Sequence, residues 1–188
     1  MWAYVEDNTI IQTNVSQTRL IVRGSPFPVK YAREYTIEQK EAYGVYEVAD
    51  DTTNYKDPAY YTNGAESMAF SGGVVTRSWA VSAARNLDDT VVDGIVKKGL
   101  KSLHKGTIKG QARSLIKPYD WYYIRKADAG TAVSSSITNF RAAVRTQSGT
   151  METAIDNAAN VDALAALYVY TGDPLTRPLG EWPKISDY

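Results

Sequence analysis

Chemistry in a protein of 188 residues has to start from side chains able to move protons, attack electrophiles or hold ions, and this sequence offers few. Cysteine is absent, which removes disulfides, thiolate metal sites and thiol nucleophiles together. His104 is the sole histidine, so a site built on two imidazoles cannot form and a Ser-His-Asp arrangement would have to run through that residue. It stands between Leu103 and Lys105 in a basic stretch, where neighbouring positive charge would lower its pKa, and is read as structural or solvent-exposed. Asp50-Asp51 and Asp88-Asp89 are adjacent on turns and read as caps. Gly94, Gly99, Gly106 and Gly110 lack the spacing and the preceding strand of a phosphate-binding loop. The expectation is no enzyme, no cofactor and no metal site.

The chemistry the sequence does carry is that of contact. Fourteen Tyr and four Trp stand against three Phe, so aromatic area comes with a hydrogen-bonding tip, as suits surfaces that meet partners. The net charge is zero, with 21 basic and 21 acidic residues. Residues 1 to 93 nevertheless hold 13 acids and 8 bases, and residues 94 to 188 hold 8 acids and 13 bases. Halves of net −5 and +5 could dock on each other within a chain or head to tail between chains, or be incidental. Hydrophobic residues at 44% place the chain in the globular class. No apolar run is long enough to span a bilayer, and Met1–Asp7 has no signal-peptide pattern, so neither membrane insertion nor secretion by a signal peptide is expected.

The first part of the chain reads as short strands. Trp2–Glu6 and Thr9–Thr13 flank Asp7-Asn8 and predict a hairpin. Thr18–Arg23 is a further strand, stopped by Gly24-Ser25-Pro26-Phe27-Pro28. Thr36 and Gln39 form a capping box for a short helix to Tyr43, with Gly44 as its stop. Strands follow around Val45–Val48 and Ser67–Phe70, the latter turned by Ser71-Gly72-Gly73 into Val74–Ala80. Between them, Asp50–Gly64 is a polar loop whose Tyr55, Tyr60 and Tyr61 either lean on the sheet or form a contact toward another subunit or a receptor.

From Asp88 the apolar period changes to about 3.6 residues. Val92, Val96, Leu100, Leu103, Thr107, Ile108, Ala112, Leu115 and Ile116 predict one helix from about Asp88 to Lys117, ended by Pro118. Its other face carries Lys97, Lys98, Lys101, Lys105, Lys109, Arg113 and Lys117, a row that either binds phosphates or is solvated or docked on acids. A second helix from Ser134 to about Ala158 has the stripe Ile137, Phe140, Val144, Met151, Ile155, Ala158, and Asn160 caps a third, Val161–Tyr168. Trp121 is expected to be a buried anchor at the hinge of the helical hairpin, with Arg141 and Arg145 reaching carboxylates such as Asp120 or a partner's acids. Pro174, Pro178 and Pro183 make residues 171 to 188 an extended arm, and its Leu175, Leu179, Trp182, Ile185 and Tyr188 need an external surface, either the β module of the same chain or, the favoured reading, a groove on a neighbouring subunit.

Arg113, Leu115, Asp120 and Trp121, followed by Phe140, Arg141, Val144 and Arg145, carry a family likeness. This pattern of helix-ending leucine, Asp-Trp pair, connector and Arg-x-x-x-Arg helix resembles the helical hairpin of tailed-bacteriophage tail-assembly-chaperone-like, or tail-fibre-assembly, proteins. The motif covers roughly Gln111 to Tyr168. The layout from Trp2-Ala3-Tyr4-Val5 to Arg177–Pro183 also looks like small tail proteins of marine phages, more weakly. Tyr122 departs from the Thr usual after the Asp-Trp pair. The resemblance implies a phage tail context rather than a chaperone activity.

The resulting expectation is an α+β chain with a β-rich domain carrying one short helix (1–87), a helical hairpin domain (88–170) and an extended arm (171–188). Its expected role is a non-enzymatic structural component of a phage tail, as a fibre, adaptor or baseplate-peripheral protein of the virion made in the host cytoplasm. Partners would be other tail proteins, copies of itself and a host surface receptor, through Tyr55, Tyr60, Tyr61, Trp121, Tyr122, Arg141, Arg145, Leu179 and Trp182. The rivals are a tail-fibre assembly chaperone absent from particles and, more remotely, a nucleic-acid-binding protein using the basic helix.

Overall fold

The computed structural model describes residues 1–14, 20–27 and 34–188. The architecture is α+β, strands first and helices after, in two compact units, Met1–Ala83 and Ala84–Tyr188.

Unit one begins as its turn residues dictate. Strands β1 (Trp2–Glu6) and β2 (Thr9–Asn14) pair antiparallel, and Asp7 and Asn8 sit between them at φ 48° and 61°, the left-handed pair of a tight hairpin. A second hairpin joins β3 (Leu20–Val22) to β4 (Ser25–Phe27) through Arg23 and Gly24. Pro26 therefore lies inside a paired strand opposite Ile21, where a stop was expected. The expected strand start at Thr18-Arg19, and Pro28, lie outside the described residues.

Helix α1 (Ile37–Ala42) has its capping box in place: Gln39 N donates to Thr36 Oγ1 at 3.3 Å and Thr36 N to Gln39 Oε1 at 2.9 Å. Strand β5 (Val45–Asp51) follows, then the two-residue strand β6 (Tyr61–Thr62), β7 (Glu66–Ser71) and β8 (Val74–Trp79), with Gly72-Gly73 turning β7 into β8. The principal sheet has order β2-β1-β5-β8-β7 and is antiparallel except where β5 runs parallel to β8. Alternate side chains of β1 leave on opposite faces, so the sheet is packed on both: Tyr4 with Val22 and Val45 on one, Ala3 and Val5 with Val75 on the other. Lys40 is buried, its ammonium 3.0 Å from Glu47 Oε1 and 5.3 Å from the Trp2 ring centroid. Hydrogen bonds from Lys40 and, to a smaller extent, from Trp2 Nε1 at 3.4 Å hold the Glu47 carboxyl below its ordinary pKa.

Strand β9 (Ala83–Ala84) stands at the junction of the units. In unit two the expected helix from Asp88 does not exist in that form. Residues 90–97 are instead a hairpin of β10 (Thr90–Val92) and β11 (Ile95–Lys97), turned by Asp93 and Gly94 at φ 52° and 75°. Helix α2 starts only at Leu100 and runs to Ile116. An apolar period of four at Val92 and Val96 was the source of the error; the β-branched runs around Asp-Gly outweigh it, because both turn residues adopt left-handed backbone readily. Gly99, before α2, lies against the Asp88 backbone with no room for a Cβ.

A 3-10 turn (Lys117–Tyr119) leads into α3 (Asp120–Ala129), which ends on Gly130 at φ 68°. Helix α4 (Ser135–Asp156) is capped by Ser134 and stays continuous through Gly149, and α5 (Val161–Ala166) is capped by Asn160. An ion pair ties the start of α2 to the end of α4 (Lys105 to Asp156, 2.6 Å) and a hydrogen bond ties the start of α4 to the end of α2 (Arg141 Nη1 to the Ile116 carbonyl, 3.2 Å), so the two long helices run antiparallel. Between them, Ala112 packs on Phe140 and Val144. Ile108, Met151, Ile155 and Leu164 are likewise buried.

Candidate interaction surfaces

The hinge after α2 is held by one side chain. Arg141, only 8% exposed, donates from Nη1 to Asp120 Oδ1 at 2.6 Å and to the Ile116 carbonyl at 3.2 Å, and its guanidinium lies 4.5 Å from the centroid of Tyr123. The expected reach of Arg141 to Asp120 is present, but its fork is spent inside the unit and is not free for a partner. Arg145, one turn on, is exposed.

Trp121 departs from expectation. It is 47% exposed and lies on the outside of α3, a helix with no buried residue. Its ring sits 3.9 Å from that of Tyr122 and is covered in part by Arg125, whose guanidinium carbon is 5.2 Å from the ring centroid. The anchor role falls instead to Tyr119, edge-on to Phe140 at 5.5 Å. A residue starting a helix just after a 3-10 turn points where the phase of the new helix sends it, and here Tyr122 and Tyr123 take the inward side. Trp121, Ile124 (68% exposed) and Arg125 share the outward face at spacings of three and four. Trp and Arg in such an arrangement are the residue types that carry binding energy at interfaces.

The arm is also corrected. Leu179 is 2% exposed, its amide donating to the Leu167 carbonyl at 3.0 Å. Trp182 packs on the cluster of Ala112, Phe140 and Val144 and donates from Nε1 to Gln111 Oε1 at 3.1 Å. The arm therefore straps its own unit rather than a neighbour: with Leu179 buried and Trp182 packed on the helices of the same chain, no second subunit is needed to cover them. A pocket of about 600 Å³ remains beside Trp182, lined by Leu115, Pro118, Phe140 and Ile185.

In unit one Tyr55 lies tilted against Trp79, 4.9 Å between ring centroids, and is 43% exposed, Lys56 sits 4.8 Å over the Tyr61 ring, and burial with the nearby Asp57 raises the Tyr60 pKa. Asn63 holds the loop by taking the Lys56 amide and donating to its carbonyl, at 2.8 and 2.9 Å. The loop thus leans on the sheet, as one of its two readings had it, while Tyr55 keeps an outward edge.

The basic row is partly neutralised at home: Lys101 pairs with Asp88 at 3.4 Å, Lys105 with Asp156 at 2.6 Å, and Lys109 with Glu152 at 3.3 Å. His104 is half-buried, its Nδ1 2.7 Å from the Tyr168 hydroxyl, and burial lowers its pKa. Among the described residues no group of three or more His, Asp or Glu is placed to hold a metal ion, and no helix is long and apolar enough to cross a membrane.

The surface that the sequence reading missed is the β10–β11 hairpin. Val91, Val92, Ile95 and Val96 are 69, 41, 66 and 61% exposed. The Asp93-Gly94 pair between β-branched runs was the available signal. No family model, curated protein or solved structure matches this chain.

Proposed function

We propose that the chain is a non-enzymatic structural component of a bacteriophage tail, a fibre, adaptor or baseplate-peripheral protein of the virion that acts through protein–protein contacts. The observation that carries this reading is the outward ridge Trp121, Ile124 and Arg125 on a helix with no buried residue, at the very Asp-Trp hinge on which the likeness to tail-assembly proteins rests. A helix that holds its inward side with Asp120, Tyr122 and Tyr123 and turns a tryptophan, an isoleucine and an arginine outward is placed for a partner. The partners proposed are other tail proteins and copies of the chain, with the outward edge of Tyr55 as the candidate contact to a host surface receptor. Absence of a catalytic role is part of the proposal and is supported by the engagement of the single histidine with Tyr168. Little role for nucleic acid is proposed, since three lysines of the basic row already face carboxylates.

Mass spectrometry of purified particles tests the reading. Stoichiometric presence of the chain in particles supports it. Presence in lysate bound to a fibre protein, with absence from particles, would favour the assembly chaperone instead.

A further inference from the structure

Among the described residues, hairpin β10–β11 is a two-stranded sheet with no further strand on either edge. The register sets Val91 opposite Val96 on one face and Val92 opposite Ile95 on the other, and all four are exposed. A soluble ribbon needs one apolar face at most; two apolar faces and two open edges describe a segment built to sit within a larger sheet.

The charges say what the neighbour is. Asp88, which pairs with Lys101, and Asp89, which accepts from the Gly99 amide, precede β10 and stay exposed, and Lys97 and Lys98, both exposed, close β11. Setting β10 against β10 of a second copy, antiparallel, brings Asp93 of each against Asp88 and Asp89 of the other. Setting β11 against β11 lays lysines on apolar side chains. Setting β10 antiparallel to β11 of another copy repeats the register already present inside the hairpin, with valine on valine and the acidic end on the basic end. We infer that the hairpin pairs head to tail with the hairpin of a second copy of this chain, β10 edge to β11 edge. Such a contact is heterologous and leaves one edge open at each end, so it builds a ring or a filament rather than a closed dimer. The edge is three residues long, so association is expected to be concentration dependent in the micromolar range. The inference deepens the contact-protein reading but does not require the tail context.

The backbone supplies the test. Val92 and Ile95 flank a two-residue turn and form a hydrogen-bonded pair, so by alternation the N–H groups of Val91 and Val96 point away from the hairpin, one along each edge. Val91→Pro blocks the β10 edge and Val96→Pro the β11 edge, while the bonds within the hairpin remain. Light scattering coupled to size exclusion should give the parent chain at several times its own mass and each variant as a monomer. A one-to-one mixture of the variants should give a dimer, since the Val96→Pro chain still has its β10 edge and the Val91→Pro chain its β11 edge. Unchanged circular dichroism certifies folding. A monomeric parent chain, or no dimer in the mixture, overturns the proposal. Association of Val96→Pro alone would point to β10 on β10, and of Val91→Pro alone to β11 on β11; either overturns it. Absence of the chain from particles would defeat the tail reading and leave the pairing standing.

Discussion

Arg141 and Asp120 meet at 2.6 Å across the hinge of the helical unit, and the same guanidinium nitrogen also takes the Ile116 carbonyl at the end of α2. One side chain from α4 thus fixes both the last turn of α2 and the first residue of α3. The buried Arg141 Nε makes no hydrogen bond, and both bonds described here come from Nη1. Arg141→Ala is expected to cost about 2 to 3 kcal/mol, through lost charge-assisted bonds and the lost stacking on Tyr123. Asp120→Asn keeps the shape and should cost about 1 kcal/mol. Chemical denaturation of the two variants checks the order; equal losses would deny Arg141 its bond to the Ile116 carbonyl.

Trp121 and Leu179 should separate cleanly. Trp121→Ala removes a half-exposed ring from a helix with no buried residue and is expected to leave the thermal midpoint within a few degrees while weakening association. Leu179→Ala removes a side chain with almost no exposure and should cost about 2 to 4 kcal/mol. Deletion of residues 172 to 188 should destabilise the helical unit rather than only impair assembly. A truncated chain with the parent's midpoint would refute the strap.

Acid should act through His104. Burial lowers its pKa, so the unfolded chain takes up the proton more readily than the folded one, and stability falls as pH drops through the unfolded value of about 6.5. Lys105, beside it in sequence, adds no compensation, and Tyr168 is its hydrogen-bond partner. The midpoint measured at pH 7.5 and 5.5 should fall more for the parent than for His104→Gln. An equal fall in both would assign the acid sensitivity elsewhere.

Two glycines in similar sequence surroundings should respond in opposite directions. A Cβ at Gly99 meets the Asp88 backbone, so Gly99→Ala should destabilise the junction of the β10–β11 hairpin with α2. At Gly106, inside α2, a Cβ meets open space, so Gly106→Ala should stabilise by about 0.5 to 1 kcal/mol. Thermal melts of both variants suffice; a destabilised Gly106→Ala would mean that this face of α2 is covered.

Local rules were enough for the elements whose stabilising contacts lie within a few residues. The Asp7-Asn8 and Gly72-Gly73 turns, the Thr36–Gln39 capping box and the Ser134 and Asn160 caps are each written in three or four consecutive residues, and each formed where its residues stand. The stripe Ile137, Phe140, Val144, Met151, Ile155 likewise announced the buried face of α4. Residues 90–97 were also legible, but two signals competed there, and a four-residue apolar spacing masked the shorter-range Asp-Gly turn. The direction of Trp121 was not written locally, because a 3-10 turn between α2 and α3 resets the helical phase and the turn is itself set by packing of Tyr119 on Phe140. The seat of the arm was beyond the sequence for the same reason. Prolines determined that the arm would hold no α-helix, but it is not extended as expected: a Thr171–Thr176 bridge, a turn closed by Gly180 N on the Arg177 carbonyl and a 3-10 turn at Ile185–Asp187 fold it back, and the helices that cover its leucine and tryptophan lie more than ten residues away in sequence and offer that surface only once they have packed.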